Sequence, residues 1–408
     1  MARVLIAWEL GEAFGHLVRC LSLAETLSNR GHTVVLALKD VRLPGGEICP
    51  SGITVLQAPL TPQRRSNVPL KPVNYAGLLH HCGFSNPLDL AARLVGWKGV
   101  FTLAKPEVVI ADHAPTALLA AELSDISHVA IGNAFAIRPD VTPWPSIRPW
   151  ETIPASALVL AERHLDNVTS AAQKLLGHTR IVRVRELYGR HDLLETFAEL
   201  DHYGARPLGR YIGPIVCAPK VNDADWQDED NAKILAYIRP EVPGFKAIIA
   251  ALAGVDAEVL CVTPGLAPKV ARECATSQLR ISLVPLGLPS LLSRADLAVS
   301  YGNCGFSTQS LLAGVPLLMS PIHVEQGLFA RRVELMGAGK LLTGHTNTQH
   351  VQNHLEELLH TPEYRQAAVT FRDRYPHFSP AQAIESWVSL VEEAIAGTHS
   401  MPVRELQE

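Results

Sequence analysis

Apolar residues in this chain alternate between short continuous runs and stretches with three- and four-residue spacing. The run Val4-Leu5-Ile6-Ala7-Trp8 predicts a buried strand, and a glycine-containing turn from Gly11 to Gly15 follows it. Leu17, Cys20, Leu21, Ala24 and Leu27 then recur at helical steps up to about Asn29, and Gly31 is placed to end that helix. Thr33–Leu38 reads as a second strand. The alternation continues with a strand at Val108–Ala111, a helix at Ala114–Leu123, a strand at His128–Ile131 and a long helix from about Ala155 to Leu176. Between Pro139 and Pro154 the prolines and the tryptophans Trp144 and Trp150 predict a shaped loop. Strands are expected again at Ile234–Ile238, Glu258–Val262, Ile281–Val284, Ala298–Ser300 and Leu317–Met319, with a last helix near Pro380–Ala396.

Strand–turn–helix–strand order is the signature of a parallel, doubly wound α/β sheet. It occurs twice, interrupted by glycines, prolines and an acidic run between about Arg206 and Asp230. The expectation is an N-terminal Rossmann-like domain over 1–208, a linker over 209–230 and a C-terminal Rossmann-like domain over 231–408. The last helix is allowed to pack back on the N-terminal domain.

Composition narrows the class. The 408 residues are 47% hydrophobic and 19% charged, which excludes a disordered tail or a coiled coil. With 36 basic and 40 acidic residues the chain carries no electrostatic footprint for nucleic acid. No apolar run is long enough to span a bilayer, and Val4–Trp8 lacks the features of a signal peptide. Seven scattered cysteines without a Cys-x-x-Cys pair fit reduced thiols, and a cytoplasmic location is expected. His80-His81-Cys82 has no second ligand pair at a metal-binding spacing, so no metal site is expected there.

The segment from Ser300 to Gln326 is the most informative. A strand ends at Ser300, the turn Tyr301-Gly302-Asn303-Cys304-Gly305 follows, and a helix is expected to begin near Phe306. This places backbone N–H groups and the positive end of a helix dipole at the mouth of a strand, with Ser307 and Thr308 as further hydroxyl donors. The helix closes on Ala313-Gly314-Val315-Pro316, and Glu325-Gln326 lies beyond the next strand. Together with Ala330-Arg331-Arg332-Val333-Glu334 and Gly337-Ala338-Gly339, the run resembles the donor-binding signature of GT-B glycosyltransferases of the UDP-glycosyltransferase type, in their bacterial form.

That family's pattern, His-Gly-Gly-x-Gly-Thr, falls here on Tyr301-Gly302-Asn303-Cys304-Gly305-Phe306. The backbone part of the cradle is kept. The phosphate-binding His is replaced by Tyr301, which donates a hydroxyl hydrogen bond but carries no positive charge, and the Thr by Phe306. The resemblance implies that Tyr301, Gly302, Asn303, Gly305, Phe306, Ser307 and Thr308 line the diphosphate, that Glu325 and Gln326 contact the donor sugar, and that the backbone near Val284 reads the nucleobase.

In the N-terminal half His16 follows the first strand directly, where a general base for a hydroxyl acceptor is needed. It resembles the family's catalytic His. Asp112, at the end of Val108–Ala111, is placed to orient it, or alternatively to cap the helix that starts near Pro115. His113 and Trp144 are candidate acceptor contacts.

The resemblance implies an α/β protein of GT-B architecture, with two facing Rossmann-like domains and the active-site cleft between them. It further implies an inverting, metal-independent hexosyltransferase. The donor would be a UDP- or dTDP-sugar as co-substrate with no other cofactor, and the acceptor a hydroxyl of a small-molecule or lipid-like compound. A nucleotide-sugar epimerase and an inactive regulatory or partner subunit are the alternatives.

Overall fold

The computed structural model describes residues 1–11, 14–42, 52–60, 71–188, 193–215, 224–344 and 346–397. Cys49 and Cys217 lie outside them; Cys20, Cys82, Cys261, Cys274 and Cys304 are free thiols. The strands are β1 (Arg3–Trp8), β2 (Thr33–Leu38), β3 (Thr54–Gln57), β4 (Val108–Asp112), β5 (Ser127–Gly132), β6 (Leu193–Leu194), β7 (Lys233–Tyr237), β8 (Glu258–Val262), β9 (Leu279–Ser282), β10 (Leu297–Ser300), β11 (Leu317–Met319) and β12 (Gly339–Leu341). The helices are α1 (Phe14–Asn29), α2 (Tyr75–His81), α3 (Pro87–Ala104), α4 (Pro115–Leu123), α5 (Ala155–Leu175), α6 (Phe245–Gly254), α7 (Pro268–Cys274), α8 (Leu288–Leu292), α9 (Cys304–Leu312), α10 (Val324–Leu335), α11 (Thr348–His360), α12 (Pro362–Arg374) and α13 (Pro380–Ile395).

The strands form two six-stranded parallel sheets, ordered β3-β2-β1-β4-β5-β6 and β12-β11-β10-β7-β8-β9. Helices cover both faces of such sheets, so strands are apolar on both sides, and Val4–Trp8 and Val108–Asp112 are buried throughout. In each sheet the strand order reverses once, between β1 and β4 and between β7 and β10. Ligands of open α/β sheets bind beyond the carboxyl ends of the strands at such a reversal.

Two structural units result: 1–198 with 205–217 and 379–408, and 199–204 with 218–378. The first core gathers β1, β2, β4 and β5 with the apolar stripe of α1 and with Trp387, Val388, Leu390, Val391 and Ala394 of α13. The second gathers β7, β8 and β10 with α6 and α11.

The expected boundaries need three corrections. Residues 209–215 are not linker: Leu194 and Ile212 exchange backbone hydrogen bonds with the 210–212 strip and with β6. Residues 224–230 are structured within the second unit, where Trp226 is buried and donates to Leu291 O, while Asp225 and Glu229 pair with Arg294. The segment 199–204, expected in the first domain, belongs to the second. Arg374 and Tyr375 hold the Glu199 carboxylate, and Arg332 donates to its carbonyl. Part of the acidic run, Asp223, lies outside the described residues.

Candidate active site

The turn after β1 delivers His16 in the first turn of α1, and β4 ends on Asp112, paired in register with Trp8. His16 Nδ1 lies 2.9 Å from Asp112 Oδ1. The imidazole stacks on Trp8, with ring centroids 5.5 Å apart and planes 13° from parallel. Arg19 Nη2 also lies 2.9 Å from Nδ1, but its hydrogens are taken by both Asp112 oxygens at 2.7 and 2.8 Å. We therefore assign the Nδ1 proton to the bond with Asp112, which leaves Nε2 as the basic nitrogen. Gly11, with φ at +89°, passes so close that any Cβ there would collide with Nε2. Glycine at 11 keeps the base accessible.

Asp112 is fully buried yet ionised: burial pushes its pKa up, but Arg19 and His16 together hold it well below the usual carboxylate range. Arg19, one helical turn after His16, donates through Nε and Nη2 to Asp112 and through Nη1 to Glu195. Glu195 follows β6, and its carboxyl is pushed up to about 7 by burial, with the neighbouring Asp112 adding to the rise. Asp112 has first claim on the guanidinium. The Cys20 thiol, 3.7 Å from Asp112, is pushed up as well, chiefly by burial. Neither Arg19 nor Glu195 is among the residues expected from sequence.

Asp112 does not cap α4. Glu9, beyond β1, does so by accepting from the Thr116 N–H at 2.8 Å while also accepting from Trp97 Nε1. Asp112 is thereby left to His16 and Arg19.

The two expected acceptor contacts separate. His113, with φ at +46°, turns its ring toward His16 at 6.2 Å and its Nε2 to the Tyr75 hydroxyl at 2.7 Å. Trp144 is only 4% exposed and packs edge-on to Tyr75, with the Arg138 guanidinium 5.0 Å from its ring. It is an anchor for the proline-rich loop, a correction to the acceptor role expected for it. An aromatic residue in a long loop gains more by burial than by exposure.

In the second unit α9 begins at Cys304, two residues earlier than expected, with Asn303 at its N-cap and no side-chain cap bond. The first helical bond runs from Ser307 N–H to Asn303 O, so the N–H groups of Cys304, Gly305 and Phe306 precede the helical ladder. Gly302, with φ at +77°, would bring a Cβ to 2.9 Å from Gln326 O.

The side chains depart from expectation. Ser307 and Thr308 are buried, and the Ser307 hydroxyl pairs with Ser300 Oγ at 2.9 Å, because the second turn of α9 faces the sheet. Ser300 Oγ also takes the Gly302 N–H at 3.0 Å. Phe306 packs with Tyr237, ring centroids 5.6 Å apart, and Tyr301 lies 6.3 Å from the same ring. Burial pushes the Tyr301 hydroxyl up to about 12, so it is a neutral donor. Gln326 Oε1 accepts from the Ile322 N–H at 2.9 Å, leaving its amide nitrogen for other partners. Glu325 stands half-buried in the first turn of α10. Val284 is exposed beyond β9, and its backbone N–H and C=O both meet the Ser282 hydroxyl. β9 is three strands from β10, roughly 14 Å at the usual spacing, so Val284 stands a nucleotide's length from the α9 mouth rather than beside it.

Among the described residues one group could offer metal-ligand atoms: His202, Cys304 and Glu325, with these atoms all within 4.8 Å of one another. The sulfur and carboxylate sit in the first turns of α9 and α10, whose dipoles favour an anion over a cation. The sequence holds two Asp-x-Asp triplets, 223–225 and 228–230, of which Asp225 and 228–230 are described. Asp225 pairs with Arg294, and Asp228 accepts from the Asp230 and Asn231 N–H groups. No helix among the described residues is long and apolar enough to cross a membrane.

Residues 246–389 match the domain family described as "Erythromycin biosynthesis protein CIII-like, C-terminal domain". A PGL/p-HBAD biosynthesis glycosyltransferase of Mycobacterium tuberculosis is 28% identical over 338 residues, 76% of each chain. A PGL/p-HBAD biosynthesis rhamnosyltransferase of Mycobacterium bovis is 25% identical over 66% of this chain and 64% of that protein. Among solved structures, the calicheamicin glycosyltransferase CalG4 superposes with a TM-score of 0.70 at 18% identity, covering 98% of this chain and 99% of that one. The glycosyltransferase VinC, solved in complex with dTDP, gives 0.69 at 17% identity over 97% and 100%. These structures show the fold, that of GT-B glycosyltransferases, and the mycobacterial glycosyltransferases are similar to the chain in sequence.

Proposed function

We propose that this chain is an inverting glycosyltransferase that moves a sugar from a dTDP- or UDP-sugar to a hydroxyl of a small-molecule or lipid-like acceptor, without a metal ion. The observation that carries the reading is the His16–Asp112 pair at the β1/β4 reversal, in a chain of GT-B fold whose second sheet opens an uncapped helix N-terminus at its own mouth. The dTDP complex of VinC and the rhamnosyltransferase relative support a nucleotide-sugar donor.

In the proposed step His16 Nε2 takes the proton of the acceptor hydroxyl while Nδ1–H stays on Asp112, whose carboxylate stabilises the imidazolium. The acceptor oxygen forms a bond to the anomeric carbon as the bond from that carbon to the diphosphate oxygen breaks. The electron pair leaves with the nucleoside diphosphate, whose charge is met by the Cys304, Gly305 and Phe306 N–H groups. Glu325 and the free amide nitrogen of Gln326 are the proposed sugar contacts, Val284 backbone the base contact and His113 the acceptor contact.

The test is consumption of dTDP- and UDP-sugars with a panel of phenolic and lipid-like alcohols, with and without EDTA, and with the product's anomeric configuration read by NMR. Acceptor-dependent, EDTA-insensitive transfer with inversion is expected. Donor turnover without acceptor would favour the epimerase reading. No consumption with any pair would leave a binding subunit.

A further inference from the structure

The replacement of a phosphate-binding His by Tyr301 leaves the donor mouth without the cation that a diphosphate demands at that position. The second sheet supplies one from a neighbouring strand. β7 and β10 flank the strand-order reversal and run in register, Tyr237 beside Ser300. The residues following each strand therefore emerge side by side at the carboxyl edge. Tyr301 is the first residue after β10, and Arg239 the second after β7.

The Arg239 guanidinium carbon lies 5.7 Å from the centre of the Tyr301 ring. Arg239 is half-buried, and among the described residues no carboxylate lies within ion-pair distance of it. The guanidinium also makes a side-chain hydrogen bond with Tyr301, and a partly desolvated guanidinium held in this way beside an aromatic ring has further donors for an incoming anion. Phosphate oxygens match that planar fork with two parallel hydrogen bonds. The uncapped N–H groups of α9 open at the same reversal, so the local field from helix and arginine has one sign.

We infer that Arg239 is a diphosphate-binding residue of the donor site, supplying from the β7 side the positive charge that Tyr301 cannot carry. The inference rests on the donor-site reading above. Tyr301 then acts as the platform that orients the guanidinium, and its neutral hydroxyl is a supplementary donor.

The experiment is calorimetric titration of the full chain with dTDP and UDP, and with thymidine and uridine as phosphate-free probes. For the diphosphate that the wild-type chain binds, Arg239→Gln is expected to lose roughly 10- to 100-fold in affinity. Arg239→Lys is expected to lose several-fold, since it keeps the charge but not the fork. Nucleoside affinity should stay within twofold in both. An unchanged ratio of diphosphate to nucleoside affinity in both variants overturns the inference and leaves the donor site standing. If Arg239→Gln does not fold, the same ratio in Arg239→Lys decides. A wild-type chain that binds neither diphosphate overturns the donor-site reading itself, and the inference with it.

Discussion

Arg19 and Arg239 stand beside the strand-order reversals of their respective sheets, and their surroundings differ. Arg19 is enclosed by Asp112 and Glu195, and its Nε, Nη1 and Nη2 all donate to carboxylates. Arg239 rests on an aromatic ring with no described carboxylate in reach. In the first unit charge is balanced by the protein itself, so the His16 imidazole is oriented before any ligand arrives. In the second the balance is left open. A closed network sets geometry; an open one sets affinity.

The sharpest way to break this contrast is to remove His16, the proposed base. His16→Ala is expected to lower kcat by about three to four orders of magnitude with nucleotide affinity unchanged, as measured by steady-state kinetics and titration. A loss confined to KM would place the chemistry elsewhere.

Next in size is the network's own stability. Arg19→Met leaves Asp112 and Glu195 buried beside each other without a counter-charge, and is expected to cost about 3–5 kcal/mol in urea unfolding. Adding Glu195→Gln should recover part of it. Arg239→Gln, which breaks no ion pair among the described residues, should change stability by only about 0.5 kcal/mol.

Titration gives a third and smaller effect. Glu195 is raised from an ordinary 4.5 to about 7, so between those values the folded chain holds a proton the unfolded chain has released. Stability should therefore fall as pH rises from about 4.5 to 7, by roughly 1–3 kcal/mol, and Glu195→Gln should flatten that fall. Asp112 acts in the opposite sense: its lowered pKa adds stability above the ordinary carboxylate value, lost as pH drops below about 4. Unfolding free energies across pH 3–8 separate the two.

A further effect, smaller than that of Arg19→Met, is expected at Gly302. An alanine there must keep φ at +77° and press its Cβ against Gln326 O, so Gly302→Ala should lower stability by about 1–2 kcal/mol and weaken nucleotide binding. Thermal melting with and without dTDP checks both.

The repeated strand–helix order was legible because each element carries its own apolar period. His16 and the turn at Gly302 were legible because glycines and strand ends announce them locally. Glu195 was not: it meets Arg19 across 176 residues, and Leu193-Leu194-Glu195 looks like any strand end. Arg239 follows an equally ordinary apolar run. Trp144 was misread since composition says that an aromatic is present, not which way it points. Residues 199–204 were misassigned because their partners, Arg332, Arg374 and Tyr375, come more than a hundred positions later.

The place of α13 has a consequence for synthesis. Trp387, Val388, Leu390 and Val391 complete the core built by β1, β4 and α1, although these strands leave the ribosome first. At 5–20 residues per second, roughly 10–40 seconds separate the end of the first sheet from the arrival of its closing helix. During that interval the earlier-made unit waits with an uncovered apolar face while the later-made one folds. A nonsense codon before Trp387 would thus injure the domain farthest from it in sequence, and the nascent chain needs protection longest at its beginning.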